Sequence, residues 1–472
     1  MRATRSFFAQ LGSTLLLAAL CCLAVATTAC AETLTLDGCL REVVEKNPDI
    51  ARQRHQCEVA LGTRLTFRAR ALPQLSLGGG AGQQGKQQDE VLIDPRTGAR
   101  VVNARPSRLF TILTGNASQP LFDFAIPASF RRGNLEVSVA VQNFYVTTVT
   151  VLHTARLQYV QAVFQRENEV QWEKINALLA ENERNQRAAF QAGTVGRIAT
   201  LQARLQEYGV EIAGIGAGGA QRTALLALLG LMGRDLGAAD ATANVRLAGT
   251  LAELAGGDLD FDPQAAADEA LRRRPDIELA RQSTASARED VRIARGGYYP
   301  QLRLVADGTL IPQNAVRSSQ QAIRPGDDIR TTEVRYGGSF NWTIIDTGAV
   351  LGSVRTARAI GETFDIRRRE LEAGVPRDLA KLRSAWRNAA ARRRALQTAR
   401  AEASDVLDAV TKAVASGTGT QTDFLFAQND LTSNRLGLLN ALFAEANARA
   451  EFDRITGGYL RFVPSEKPAA EK

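Results

Sequence analysis

Residues 45–53 read EKNPDIARQ, and residues 272–282 read RRRPDIELARQ. The likeness extends downstream at one spacing, because Pro48 and Pro275 each precede a Pro-Gln-Leu sequence by 25 residues. Two similar segments that recur far apart in the chain, each followed at the same distance by the same short sequence, indicate a tandem duplication of one structural unit.

The duplication keeps its register towards the C-terminus. Asp123 and Asp346 are 223 residues apart, and Gly193 and Gly417 are 224 residues apart. The predicted divisions are a first repeat at 32–245, a linker at 246–262, a second repeat at 263–457 and a C-terminal tail at 458–472.

The N-terminus has the pattern of an export signal. Arg2 precedes an apolar run at 15–26, and the triplet Ala-Cys-Ala ends at Ala31. A charged start, an apolar centre and small residues before the cut predict a signal peptide over residues 1–31. A lipid anchor on Cys30 is the alternative.

Composition excludes several classes of function. The net charge of +8 is scattered along predicted helices, which favours solvated helix faces and no nucleic-acid partner. Cys39 and Cys57 lie 18 residues apart on a predicted helix, about 27 Å, too far for a disulfide. His55 and His153 lack metal-ligand spacing, and no nucleophile–base pattern is visible, so no metal, cofactor or catalytic residue is predicted.

Each repeat predicts two strands followed by an unusually long helix. The strands are predicted at about 74–82, 108–121, 298–311 and 333–345, and the long helices at about 126–191 and 349–415. Helices of this length, about 100 Å, are typical of coiled coils. Glycine-containing turns then reverse the chain into a shorter helix.

The last predicted strand alternates in character. Tyr336, Phe340, Trp342 and Ile344 share one face, while polar residues share the other. This is the pattern of a membrane barrel with a wet interior, although a strand of a soluble sandwich shows the same alternation. After the signal, the longest apolar run, at 224–232, is too short for a membrane helix, so the sequence predicts membrane entry by strands.

Four strands cannot close a barrel, and open strand edges are not tolerated in lipid. The chain is therefore expected to associate with copies of itself. Eight strands would need two chains, and twelve would need three.

The order of these elements, with the phrases NPDI, LPQLSL, SQPLFD and AGTVGRIATLQ, resembles the TolC-type outer-membrane efflux proteins over about residues 34–457. The resemblance implies a mainly α fold and a homotrimer, with a twelve-stranded barrel in the outer membrane and an α-helical barrel in the periplasm. It also implies a passive channel without enzymatic activity, which works with a periplasmic adaptor and an inner-membrane transporter.

The resemblance places adaptor docking at the two turns that follow the long helices. These residues are Gly193, Thr194, Val195, Gly196, Arg197, Gly417, Thr418, Gly419 and Thr420. It also places Asp423 near a gate, although an acid in the first turn of a helix is equally explained by the helix dipole. Phe426 and Ala199 stand where acids are common in the family, which predicts a more hydrophobic gate.

Two local features run against this fold. Pro376 is expected to kink or interrupt the second long helix, at a cost of about 3 kcal/mol. Gly214, Gly216 and Gly219 form a Gly-x-Gly-x-x-Gly motif, so a dinucleotide-binding enzyme is one alternative. A periplasmic adaptor with a long helical hairpin and no pore is the other.

Overall fold

The computed structural model describes residues 32–84, 90–93, 95–98, 100–103, 108–234, 242, 245–259, 261–315 and 329–463. The predicted signal peptide, Cys30 and residues 464–472 of the predicted tail lie outside the described residues.

The described elements follow the duplicated order. In the first repeat they are β1 (Glu32–Leu34), α1 (Leu36–Lys46), α2 (Pro48–Ala69), β2 (Gln74–Gln84), β3 (Glu90–Ile93), β4 (Arg100–Asn103), β5 (Arg108–Phe122), α3 (Ala125–Gln191) and α4 (Arg197–Leu231). Then come β6 (Val245–Leu247), α5 (Leu251–Ala255), α6 (Pro263–Arg273), α7 (Pro275–Arg295), β7 (Gln301–Ala315), β8 (Ile329–Asn341), α8 (Ala349–Ala415) and α9 (Gln421–Thr456). The 3₁₀ helices are Gly296–Tyr298 and Gly458–Phe462.

Proline divides the helical start of both repeats. Pro48 begins α2 and Pro275 begins α7, because proline fits the first turn of a helix but restricts the residue before it. Asn47 caps α2, since its Oδ1 accepts from the backbone N–H of Asp49 at 2.8 Å. The helical start of the second repeat is therefore divided into α6 and α7.

The chain forms two compact units, and the first consists of the described parts of 1–55, 143–276 and 371–467. Within it, β1 pairs in parallel with β6. The hydroxyl of buried Tyr159 lies 2.9 Å from the carbonyl oxygen of Leu34 and 2.7 Å from that of Ala248. The predicted linker thus contains a strand that is tied to the start of the first repeat.

Helix α8 buries a row of large apolar side chains near its centre and towards its C-terminal end. Leu379, Leu382, Trp386 and Leu407 are all buried. Leu407 belongs to an apolar cluster with three residues of α9, namely Phe424, Ala427 and Leu431. Trp386 is a core side chain.

Helix α8 is continuous through Pro376, so the predicted interruption is wrong. Proline removes one backbone donor from the helix. Val375 and Leu379, on the buried side, are fully enclosed, whereas Pro376 lies at the exposed surface. We infer that the packing of the buried side offsets the lost hydrogen bond.

The second unit consists of the described parts of 56–142, 277–370 and 468–472. It contains the antiparallel pair β3–β4 and a four-stranded antiparallel sheet in the order β2-β5-β7-β8. The central pair β5–β7 joins the two repeats. Among the described residues, β2 and β8 each have one neighbour only, so both edges of this sheet are open.

In the described part of the chain, two helices, α3 and α4, contain a stretch that is long and apolar enough to cross a membrane by length and composition. The longest uninterrupted apolar run after the predicted signal peptide, at 224–232, is much shorter than these stretches, because they include scattered polar residues. The same composition arises in a helix that buries apolar residues against other helices.

Candidate functional site

The first candidate segment is the turn between α3 and α4. Gly193 has φ +77°, a left-handed conformation that glycine adopts without strain. The backbone N–H of Thr194 donates to Ala189 O at 3.0 Å, and its hydroxyl donates to the same oxygen at 2.8 Å. Gly196 then precedes α4 without a capping side chain.

The turn between α8 and α9 repeats this arrangement. Gly417 also has φ +77°. The backbone and hydroxyl of Thr418 donate to Ala413 O at 3.0 and 3.1 Å, and Gly419 N donates to it at 2.9 Å. We call Gly193–Arg197 and Gly417–Thr420 the tip turns. Glycine and threonine thus have the same roles in both.

The tip turns differ in how the next helix begins. Thr420 and Asp423 form a capping box at α9, in which Thr420 Oγ1 accepts from Asp423 N at 3.2 Å. The Asp423 carboxylate accepts from Thr420 Oγ1 at 2.6 Å and from Thr420 N at 3.0 Å. In the first repeat, Gly196 and Ala199 occupy these positions and supply no such cap.

These hydrogen bonds from the hydroxyl and backbone of Thr420 lower the pKa of Asp423. The carboxylate is therefore charged and engaged within its own chain. This geometry accounts for an acid at position 423 by helix capping.

A groove lies close to the tip turns within the first unit. Its walls come from α3, α4 and α9, and its lining includes Trp172, Val210, Leu425 and Phe426. Phe426 is 67% exposed, and Gly209 adds no side chain to the lining. An exposed aromatic ring thus stands where the resemblance expects a second acid.

The predicted membrane face of the last strand needs a correction. Tyr336 and Phe340 belong to β8 and are exposed, but β8 ends at Asn341, so Trp342 and Ile344 follow the strand. The partner strand β7 begins at Gln301, which pairs with Asn341, so the pairing of β7 with β8 ends at these residues.

The segment after β8 instead caps the N-terminus of α8. The carboxylate of Asp346 accepts from Gly348 N at 3.0 Å and from Val350 N at 2.7 Å. These bonds lower the pKa of Asp346, with the bond from Val350 contributing most. Trp342 Nε1 donates to Tyr298 O at 3.2 Å.

The glycine motif does not form a nucleotide site. Gly214, Gly216 and Gly219 lie inside the continuous helix α4, whereas a phosphate-binding motif requires a strand, a turn and a helix start. Gly218 allows a close approach, because an added Cβ would lie 2.7 Å from Glu169 Oε1. In the described part of the chain, no group of three or more His, Cys, Asp or Glu is placed to hold a metal ion.

Sequence reasoning missed a partly buried polar cluster in the first unit. His153 Nε2 lies 3.4 Å from Glu451, and its Nδ1 lies 3.5 Å from the Tyr459 hydroxyl. Arg156 pairs with Asp453. Burial lowers the pKa of His153. These partners are up to about 300 residues apart, so no local pattern connects them.

Comparison with known proteins connects this geometry to a family. A family model described as outer membrane efflux protein matches residues 39–234 and 266–458, which include most of both repeats. No curated protein sequence matches the chain.

Several solved structures share the fold. The outer membrane protein VceC of Vibrio cholerae is 17% identical with a TM-score of 0.69, covering 89% of this chain and 96% of its own. The CmeC outer membrane channel of Campylobacter jejuni is 17% identical with a TM-score of 0.70, covering 90% and 85%. The MtrE outer membrane channel of Neisseria gonorrhoeae, in its open state, is 16% identical with a TM-score of 0.69, covering 90% and 89%.

Proposed function

The chain belongs to the outer membrane efflux protein family, and from that premise we propose that three copies form one channel whose tip turns dock a periplasmic adaptor. The protein is a non-enzymatic exit channel of the Gram-negative outer membrane and extends into the periplasm.

The unpaired edges of the four-stranded sheet are the main evidence for self-association. Each copy contributes four strands with free edges at β2 and β8, and backbone groups at such edges have no partners in lipid. Three copies, the number implied by the resemblance, supply twelve strands. A closed ring needs β8 of one copy to pair with β2 of the next.

A stripe along α4 supports the same assembly. Apolar residues recur there at alternating steps of three and four, the spacing of a coiled-coil seam, and half or more of each side chain is exposed. They are Ile198, Leu201, Leu205, Tyr208, Ile212 and Ile215. A second copy that covers this stripe would remove the apolar surface from water.

The oligomer mass in detergent tests the assembly. The purified protein is expected to have the mass of three chains and to conduct ions in a planar bilayer. A particle of one chain, or a water-soluble chain without detergent, would contradict the proposal. Solubility without detergent would also favour the pore-less adaptor considered from the sequence.

We propose further that an inner-membrane transporter drives transport and that an adaptor opens the channel at the tip turns. The turns are short and largely exposed, and each is closed by its own backbone, which suits them to contact a partner. Asp423 is assigned to the cap of α9 rather than to a gate.

Co-purification from the native host tests the docking. Arg197→Glu reverses a charge in the first tip turn and is expected to reduce recovery of a periplasmic protein with a helical hairpin. Arg184→Glu, on the exposed surface of α3 before the turn, is the matched control. Equal recovery with both variants would remove Arg197 from the docking surface.

A further inference from the structure

The edge of the sheet from which the long helices start carries aromatic and basic side chains together. Phe122 at the end of β5 pairs with Leu302 near the start of β7, and Gln301 pairs with Asn341 at the end of β8. The connections beyond these strand ends therefore meet along one edge. We define the rim as Phe122, Phe124, Arg131, Arg292, Arg295, Tyr298, Tyr299 and Trp342.

Several aromatic residues of the rim contact one another, and all five remain partly exposed. The rings of Phe124 and Tyr299 stack with centroids 4.2 Å apart, and Trp342 is held by its hydrogen bond to the Tyr298 carbonyl. Between 40 and 50% of each of the five side chains is exposed. Aromatic side chains in this position are typical of a membrane–water interface.

Arginines stand beside these rings in a notch whose other lining residues are apolar, except for Asp123. The notch is lined by Phe122, Phe124, Arg131, Arg292 and Arg295, and also by Leu121, Ile126 and Pro127. The notch is apolar towards the strand and basic towards helices α3 and α7.

The charges in the notch favour an anion. Arg131 Nε donates to Glu289 at 3.0 Å, and Arg292 pairs with the same carboxylate, so two guanidinium groups share one acid. The exposed Arg295 has no ion-pair partner within the described ranges. Asp123 accepts from Ala125 N at 2.8 Å and is occupied as a cap of α3.

The duplication places a second arginine at the corresponding position. Arg68 in α2 lies five residues before Pro73, as Arg295 lies five residues before Pro300. Arg68 donates to Asn134 Oδ1 at 3.3 Å, so this copy is engaged within the chain. Arg292 and Arg295, in the second repeat, are the ones directed to the notch.

We propose that the rim binds the phosphate group of an anionic phospholipid from the periplasmic leaflet of the outer membrane. Arg292 and Arg295 bind the phosphate, and the acyl chains lie along Leu121 and Phe122. A free phosphate would use the arginines alone, whereas the joined apolar and basic walls match a lipid. The inference rests on the proposed closed barrel, which puts this edge at the membrane surface.

Native mass spectrometry of the full-length protein in detergent tests the inference, with phosphatidylglycerol as the probe. The double variant Arg292→Gln/Arg295→Gln is compared with Arg392→Gln/Arg394→Gln, two exposed arginines of α8 far along the chain from the rim. Each arginine near an anionic lipid contributes about fivefold in affinity, so the rim variant is expected to bind phosphatidylglycerol at least tenfold more weakly. The control variant is expected to bind it normally.

Three results would overturn the inference: unchanged binding by the rim variant, equal binding of zwitterionic phosphatidylcholine, or displacement of the lipid by excess inorganic phosphate. The last would identify a free-anion site. The same spectra give the oligomer mass, so a trimer without bound lipid refutes only this inference. A particle of one chain refutes the proposed channel as well.

Discussion

The cap of α9 offers a test of what Asp423 does. Thr420→Ala removes the hydroxyl that accepts from Asp423 N at 3.2 Å and leaves every charge in place. Asp423→Asn removes the charge but keeps a side-chain oxygen that can accept from Thr420 N. The pair therefore separates the cap from the charge.

The expected magnitude comes from the lost cap. Replacing a threonine N-cap by alanine costs about 1 kcal/mol, which corresponds to about a fivefold increase in local opening. We expect amide hydrogen exchange of Asp423 and Phe424 to accelerate by about this factor in Thr420→Ala. Exchange in the first turn of α4 is the internal control, because Gly196 provides no side-chain cap there.

Ion selectivity decides between the two roles. If Asp423 serves the cap, Asp423→Asn leaves the reversal potential of the channel under a salt gradient unchanged. If three carboxylates line a gate, Asp423→Asn shifts that potential and Thr420→Ala does not. The second outcome would refute the assignment of Asp423 to the cap.

Three further predictions concern stability. Gly417→Ala places an L-residue at φ +77° and should cost about 1–2 kcal/mol, seen as faster amide exchange in its turn, whereas Gly196→Ala at φ −82° should cost less. Burial lowers the pKa of His153, so as the pH falls below the ordinary value of 6.5 the unfolded chain binds a proton at this histidine before the folded chain does. The folded state should therefore lose stability over this pH range. His153→Gln should remove this part of the pH dependence of the thermal midpoint. Glu445→Ala should cost about 1.5–3 kcal/mol, because Arg393, which donates to Glu445 at 2.8 and 3.0 Å, loses its partner. The double change Glu445→Leu with Arg393→Met should restore the unfolding midpoint, because it removes both charges together.

Local patterns in the sequence predicted the helices and turns whose bounds are set by neighbouring residues. The long helix predicted at 349–415 has those bounds, because glycine and serine mark its ends. The turns at Gly193 and Gly417 were likewise predicted, from the glycines that follow each long helix. The duplication added the order in which these elements recur.

What the sequence missed depends on distant partners. The last strand runs over Ile329–Asn341 instead of about 333–345, because its register is set by β7 and not by its own alternation. The pairing of β1 with β6 joins residues more than 200 positions apart. Pro376 was misjudged because helix propensity takes no account of the buried neighbours.

The open sheet edges also have a genetic consequence. If β8 of each copy meets β2 of the next, one copy with a damaged edge spoils a ring that contains two sound ones. With damaged and sound chains made equally and mixed at random, only about one ring in eight would consist of sound chains alone. A defect confined to one strand edge would then behave as dominant, even in a cell that still makes the intact protein.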